Sequence, residues 1–511
     1  MTTLTAASES PRLRLMTILS RHPLVCTAVV LFVWTLTVRL PFAHIVDDDE
    51  AFFSLVASRW QMGELPYAAS FDVKPPLLFL FYVLANLLTD GGLIAIKGLE
   101  IVFVAWGAWA LFRLVSAHGS HGAAIWAAGL YPIYSLALRG FEQPNLLIQL
   151  PFVITAFDSA LRAREDGDAR QIALCGFLMG CAGLIKQTAV FEAMAAMLFL
   201  AVALPKERRL KGLTVFVMTA LAPCLAFLVY FWINGALQPA FNDVVWSAVG
   251  RLKSDVAPVP GLRPVTLMNS FTGFLPCLKS LYALVWLALL VVLRYRRPDT
   301  AWPRPLLFLC ALWLGAAGLV LFSLHSAREV YAQDFIAPLL IVSGIMVTQG
   351  FVISGRHRLW GITACVVAAI AVPAFIDRGG LWFDAIKGRN DPVAVAAIAT
   401  ELKALGVRPG DRLFVPNRGL MIYVATKTIP SASVYHPLQV MCAFPTPDAR
   451  PLAEGITHGP RFLVVADTRL SMACETMTRH TELRRLIAGH YEAVKTVTGT
   501  WDRFTIYRRK S

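Results

Sequence analysis

Four consecutive carboxylates, Asp47-Asp48-Asp49-Glu50, stand at the end of the first apolar run, and Lys74 stands just before the next one. Acidic groups packed side by side repel, and the repulsion raises some of their pKa values. A carboxylate raised in this way at an interface suits general-base catalysis. The same oxygens also suit a hard divalent cation such as Mg²⁺ or Mn²⁺. The plainer reading is a solvated acidic loop that stops the preceding helix from sliding inward. Lone cations recur at the ends of later apolar runs: Arg139, Lys186 and Arg328. For Lys74 and Arg139 the plain alternative is a side chain snorkelling to the interface. For Arg328, beside His325, it is a solvated loop charge. Lys186 sits at a hairpin tip on the side where few basic residues fall, which favours function. His44 reads as an interface residue rather than a metal ligand.

The elements that must position these groups are membrane helices. Of 511 residues, 57% are hydrophobic and 16% charged, against roughly 45–50% and about 25% in soluble domains. A wholly soluble enzyme, a disordered chain and a collagen-like chain are thereby excluded. The net charge of +14 is carried by short clusters between apolar runs, as the positive-inside rule predicts, and does not point to nucleic acid. Nine cysteines show no CxxC or CxxH spacing, so neither zinc nor a disulfide framework is indicated. Cys26, Cys175, Cys181, Cys224, Cys310 and Cys365 lie in apolar runs and read as buried hydrophobes.

An uncleaved first span is predicted near 23–42, with its N-terminus in the cytoplasm. Further runs fall near 77–90, 93–116, 123–140, 145–161, 171–186, 188–204, 213–233, 274–293, 305–324, 334–354 and 359–376. Basic clusters at 162–170, 206–211, 294–297 and 356–358 mark the cytoplasmic side. The loops 43–76, 139–145, 234–273 and 325–332 then fall outside, as does the tail. An inside start and an outside finish need an odd number of crossings, so about 13 helices are expected, the extra one within 77–116. Residues 51–60 repeat at helical period and predict a short helix on the membrane surface. Gly63 ends it, and Lys74-Pro75-Pro76 opens the next span, where prolines are tolerated in a first turn.

Residues 1–376 form the membrane domain. Residues 377–511 change character and predict a small soluble α/β domain outside the membrane. Its strands fall at 412–416 and 462–466, and a helix spans 393–405, stopped by Gly406. Residues 501–508 alternate like an edge strand. Cys442 and Cys474 are its only cysteines, and their pairing is open. No triad is ordered within it.

A membrane-end Asp49-Glu50, an interfacial helix, Gly63, Pro66-Tyr67 and then Lys74-Pro75-Pro76-Leu77 resemble the first loop of polyprenyl-phosphate-sugar-dependent glycosyltransferases. These have the GT-C fold, and the chain is most similar to relatives of lipid A aminoarabinose transferase and protein O-mannosyltransferase. Residues 139–145 resemble the family's Arg and later Asp, with Asn145 at the Asp position and Glu142 as its substitute. Residues 176–187 resemble its glycine-rich helix ending in Lys. Residues 327–338 are similar to a late outer loop, though the family's His-Tyr is absent near Gln333-Asp334. The resemblance covers roughly 30–380.

The resemblance implies an inverting membrane glycosyltransferase with a lipid-phosphate sugar donor. Its acceptor would be lipid A or lipopolysaccharide, another envelope glycan or a protein. Asp49 would be the general base, with Asp48 beside it, and Glu50 would orient base or acceptor or stabilise the chain turn. Lys74, Arg139, Lys186 and Arg328 would neutralise the departing polyprenyl phosphate. Tyr67, Glu142 and Tyr331 are candidates for substrate contact, although aromatic belts place tyrosines here anyway. No cofactor is required, and a divalent metal is left open. The location implied is a bacterial inner membrane, multi-pass, with the C-terminal domain in the periplasm. The competing class is a multi-pass transporter or flippase of lipid-linked sugars. Transporters usually carry repeats and midplane charges; no repeat is seen, and the charged candidates gather on one face. An envelope polymerase or ligase would lack the Lys-Pro-Pro loop.

Overall fold

The computed structural model describes residues 23–89, 92–138, 144–247, 279–295, 302–323, 329–350, 356–376, 392–416, 419–432, 435, 455–456, 459–466, 477–499 and 503–510. Among the described residues, fourteen α-helices precede the C-terminal domain. They are α1 (Pro23–Arg39), α2 (Asp48–Gln61), α3 (Pro76–Thr89), α4 (Gly92–His118), α5 (His121–Ala137), α6 (Pro144–Asp166) and α7 (Ala169–Gly183). After them come α8 (Ala189–Ala203), α9 (Lys206–Ile233), α10 (Leu237–Phe241), α11 (Lys279–Tyr295), α12 (Arg304–Ser323), α13 (Ile336–Gly350) and α14 (Arg356–Ile376). A 3₁₀ segment, Glu329–Phe335, leads into α13.

Among the described residues, six helices are long and apolar enough to cross a membrane, and five shorter apolar ones accompany them. The chain is a multi-pass membrane protein. Each of the twelve predicted apolar runs is a helix, because a backbone in lipid must satisfy its own hydrogen bonds. The stretch 77–116 holds two helices, α3 and α4, and no third among its described residues. The extra crossing expected there is not found. Parity arithmetic counts crossings; it does not locate them.

The helix predicted over 51–60 is α2, which starts three residues earlier, inside the acidic run. Asp47 is its N-cap: its side chain accepts from the Asp49 N–H (3.1 Å), while Glu50 accepts from the Asp47 N–H (3.0 Å). This reciprocal capping box satisfies two orphan donors. So the acidic run is first of all a helix start, where acidic groups also meet the positive end of the helix dipole.

The glycine-rich helix α7 packs tightly on α9. A Cβ on Gly180 would collide with the Ala220 carbonyl oxygen and lie 2.8 Å from Pro223 Cγ; one on Gly176 would strike the Phe216 carbonyl oxygen. Without a hydrophobic force between helices in lipid, such small residues let backbones approach. The outer flank of α9 is apolar and exposed, including Leu225, Val229 and Trp232, and faces lipid, as does α1.

Two ends can be told apart. At one, Arg208 lies against Gly167, Arg358 donates to the Thr348 carbonyl, and Ser120 meets Thr348 at 3.4 Å. Three of the basic clusters therefore have members at a common end. The loop 43–76, the α7–α8 loop and the Glu329–Phe335 segment share the opposite end.

The C-terminal domain starts with α15 (Pro392–Ala404), which buries Ala394, Val395, Ile398 and Leu402. Its strands are β1 (Arg412–Phe414), β2 (Ile429–Pro430), β3 (Phe462–Ala466), β4 (Tyr491–Thr498) and β5 (Arg503–Arg509). Helices α16 (Met421–Thr426) and α17 (Met477–His490) lie between them. The sheet order is β2-β1-β3-β5-β4. β1 is parallel to β2 and β3, while β5 runs antiparallel to β3 and β4. Residues 501–508 were expected at an edge, but β5 has a neighbour on each side. The unforeseen β4 takes the edge, and Phe504, Thr505 and Ile506 of β5 are all buried. The domain meets the membrane part on α2, where Tyr435 lies 5.7 Å from Phe52, ring to ring.

Candidate functional site

The site is built at the end of the bundle that carries α2. Asp49 sits in the first turn of that helix, half-buried, and acts electrostatically on Asp72. Burial pushes the Asp72 carboxyl up, and Lys74 pulls it down. One Asp72 oxygen accepts from the Val73 N–H (2.6 Å); the other has no hydrogen-bond partner. Lys74 reaches back over Phe53 of α2, with Nζ 5.8 Å from the ring centroid. Asp49, Asp72 and Lys74 thus converge from the two ends of one loop.

The loop is pinned from below. The Leu77 N–H donates to Leu184 O (3.1 Å), and Gln187 Nε2 donates to Val73 O and to Val244 O (3.2 Å). These bonds carry Lys186, which follows α7, beneath Lys74. Lys186 is 5% exposed, and its Nζ stands 5.5 Å from the Tyr331 ring centroid. Burial lowers its pKa to about 8, against the pull of Asp334 and Glu192; Lys74 pushes it further down. Asp243, just past α10, lies beside Asp72 and is raised to about 7 by burial and by that neighbour.

Two sequence candidates are tied into the structure by contacts of their own. Glu50 is fully buried and faces away from Asp49: Lys97 Nζ donates to both its oxygens (2.8 Å). Lys97 also donates to Glu100 (3.0 Å), which pairs with Arg39. Burial raises the Glu50 carboxyl to about 7, with Lys97 opposing. Of the three roles read from sequence, its contacts are those of stabilising the chain turn. Tyr67 is buried, and its hydroxyl donates to the Lys74 carbonyl (2.7 Å). Its ring packs on Phe231 and Phe79, and burial pushes its hydroxyl pKa well up. It holds Lys74 from behind, with a backbone φ of +69° that only a well-determined environment maintains.

Asp48 is half-buried, with one carboxylate oxygen lacking a hydrogen-bond partner. Arg139, Glu142 and Arg328 lie outside the described residues, as do Cys442 and Cys474. Asn145 is buried at the start of α6, and neither side-chain polar atom has a hydrogen-bond partner. Sequence reasoning gave no role to Asp72, Lys97, Glu192, Asp243 or Asp334. For Lys97, Glu100 and Glu192 a signal existed: an ionisable residue inside an apolar run is rare without a purpose. Among the described residues, no three His, Cys, Asp or Glu side chains converge as a metal-ligand set.

The arrangement sets a carboxylate that could take a proton next to two cations that could hold an anion. Bundle, surface helix and first loop define a multi-pass membrane protein of the GT-C fold. Residues 73–233 match the family model of dolichyl-phosphate-mannose-protein mannosyltransferase. The fold is similar to the crystal structure of ArnT from Cupriavidus metallidurans bound to undecaprenyl phosphate: TM-score 0.58 at 14% identity, covering 94% of this chain and 97% of that one. The apo form of that protein gives 0.57 at 13%, with the same coverage. The apo oligosaccharyltransferase of Archaeoglobus fulgidus gives 0.50 at 12%, covering 87% of this chain and 69% of that one. No curated protein matches the chain in sequence.

Proposed function

We propose that the chain transfers a sugar from a polyprenyl-phosphate donor to an envelope acceptor, with inversion, at the outer face of a bacterial inner membrane. The observation that carries this reading is the placement of Lys74 and Lys186. Both lie within the matched segment 73–233 and act on each other, and Lys74 stands beside Asp72, on which Asp49 also acts. Residues 1–376 are the catalytic unit, and residues 377–511 cover the site from the periplasm.

Lys74 and Lys186 bind the donor phosphate, with Arg139 and Arg328 completing the cationic set. Asp49 takes the acceptor hydroxyl proton as that oxygen attacks the anomeric carbon. The bond from that carbon to the phosphate oxygen breaks, and the electron pair leaves with the polyprenyl phosphate. Its growing charge is met by cations already in place, so little reorganisation is needed at the moment of reaction. One displacement with one base gives inversion. Asp72 lies between base and cation, and Tyr67 fixes the Lys74 backbone. An acceptor phosphate oxygen would need no base, and Asp49 would then position it.

Comparative mass spectrometry of envelope glycans and glycolipids tests the reading. A deletion strain is complemented with wild type, Asp49→Asn or Lys74→Ala at matched membrane levels. Loss of one sugar-sized mass in the deletion, restored only by wild type, is expected. Restoration by Asp49→Asn removes the base assignment. An unchanged glycan profile in the deletion removes the transferase reading.

A further inference from the structure

The bundle contains two groups of buried charges, and they differ in one respect. In the chain Arg39–Glu100–Lys97–Glu50, each charge touches the next. In the second group, Lys186, Glu192 and Asp334 are 5%, 0% and 0% exposed. Both carboxylates act electrostatically on Lys186, and on each other. Yet Lys186 Nζ and all four carboxylate oxygens lack hydrogen-bond partners. They are near enough to couple and too far apart to bond. Helix α6 packs against both α8, which carries Glu192, and the segment that carries Asp334. It buries Asn145 and Gln149 one turn apart, and none of their four side-chain polar atoms has a hydrogen-bond partner.

Buried polar atoms are paired in all but a few cases, and unpaired ionisable groups at membrane depth mark sites. The first group shows how this protein satisfies charges with a structural duty. The second is a buried polar compartment of carboxylate acceptors, and α6, packed against the elements that carry them, buries two further unpaired amides. The compartment adjoins the proposed phosphate position, because Lys186 is coupled to Lys74 on one side and to Glu192 and Asp334 on the other.

We infer that Glu192 and Asp334 hold the sugar ring of the donor, accepting its hydroxyls, and that the compartment selects a neutral or amino sugar over a uronic acid. Carboxylates are strong acceptors for hydroxyl donors. Glu192 and Asp334 already oppose each other, and a sugar carboxylate would add a third acidic group where water is scarce. The phosphate stays between Lys74 and Lys186. This inference rests on the donor reading above and deepens it.

The test is binding by native mass spectrometry to the purified full-length protein. The probes are undecaprenyl phosphate and its glucose, mannose and galacturonic acid conjugates. At least one neutral conjugate is expected to bind about tenfold or more tighter than undecaprenyl phosphate, and the uronate no tighter than it. Glu192→Gln and Asp334→Asn should remove the neutral-sugar gain measured against undecaprenyl phosphate in the same variant, and should improve the uronate on that same scale. A wild-type protein that prefers the uronate, or that gains nothing from either neutral sugar, overturns the inference without needing a variant. So does a neutral-sugar gain that survives both substitutions. If undecaprenyl phosphate fails to bind, or binds equally well to Lys74→Ala, the donor reading itself fails and takes this inference with it.

Discussion

Raising the pH from 7 to 9 should release the donor phosphate chiefly through Lys186, with Asp243, raised to about 7, adding a smaller change at the lower end. Lys186 is held near pKa 8 by burial, against 10.5 for a free lysine. Burial disfavours its charged form, so it gives up its proton earlier than a surface lysine. If only the charged form grips phosphate, the apparent Kd is the intrinsic value divided by the charged fraction. That fraction is about 0.9 at pH 7 and about 0.1 at pH 9, so the affinity for undecaprenyl phosphate should fall about tenfold, or ~1.4 kcal/mol. The phosphate itself loses its last proton near pH 6, so its charge is constant over this window. The assay is titration of the detergent-purified protein with undecaprenyl phosphate between pH 6.5 and 9.5, on wild type, Lys186→Met and Lys74→Met. Wild type and Lys74→Met should show the slope, at different absolute affinities, and Lys186→Met should be nearly flat and weak. A flat wild-type profile from pH 7 to 9, or an undiminished slope in Lys186→Met, would refute the role of this lysine.

Tyr67→Phe removes the bond to the Lys74 carbonyl and should cost about 1 kcal/mol of stability, with a further loss in donor affinity; thermal unfolding and the same titration separate the two. Gly180→Val drives a side chain into the Ala220 carbonyl and Pro223. It should cost about 1–3 kcal/mol and weaken phosphate binding, because Lys186 follows directly from the end of α7. Asp47→Ala deletes the cap of α2 and should lower stability by ~1 kcal/mol, read as a lower unfolding temperature. If that temperature is unchanged, the capping box is not what fixes the start of this helix.

The membrane architecture was legible in the residues because its causes are local. An apolar run of sufficient length in lipid has little choice but helix, and every predicted run became one. The first-loop motif was legible for a similar reason: Gly63, Pro66 and Lys74-Pro75-Pro76 constrain the backbone on their own. The sequence also marked Asp49, Lys74 and Lys186 as candidates, since a charge next to an apolar run is conspicuous.

What each charge faces was decided only by tertiary structure. Asp49 and Glu50 are neighbours in sequence, but helical geometry points them apart. Only the distant Lys97, on α4, shows that Glu50 belongs to an internal chain of ion pairs. Tyr67 is an aromatic at an interface by sequence, and a prop for the Lys74 backbone by contact. Glu192, on α8, and Asp334, just before α13, are remote in sequence, so no spacing rule could bring them together around Lys186. In the C-terminal domain, period-2 alternation revealed a strand at 501–508, but pairing set its place in the sheet. Periodicity reports which side of a segment is apolar, whereas a site depends on which remote segment lies across from it.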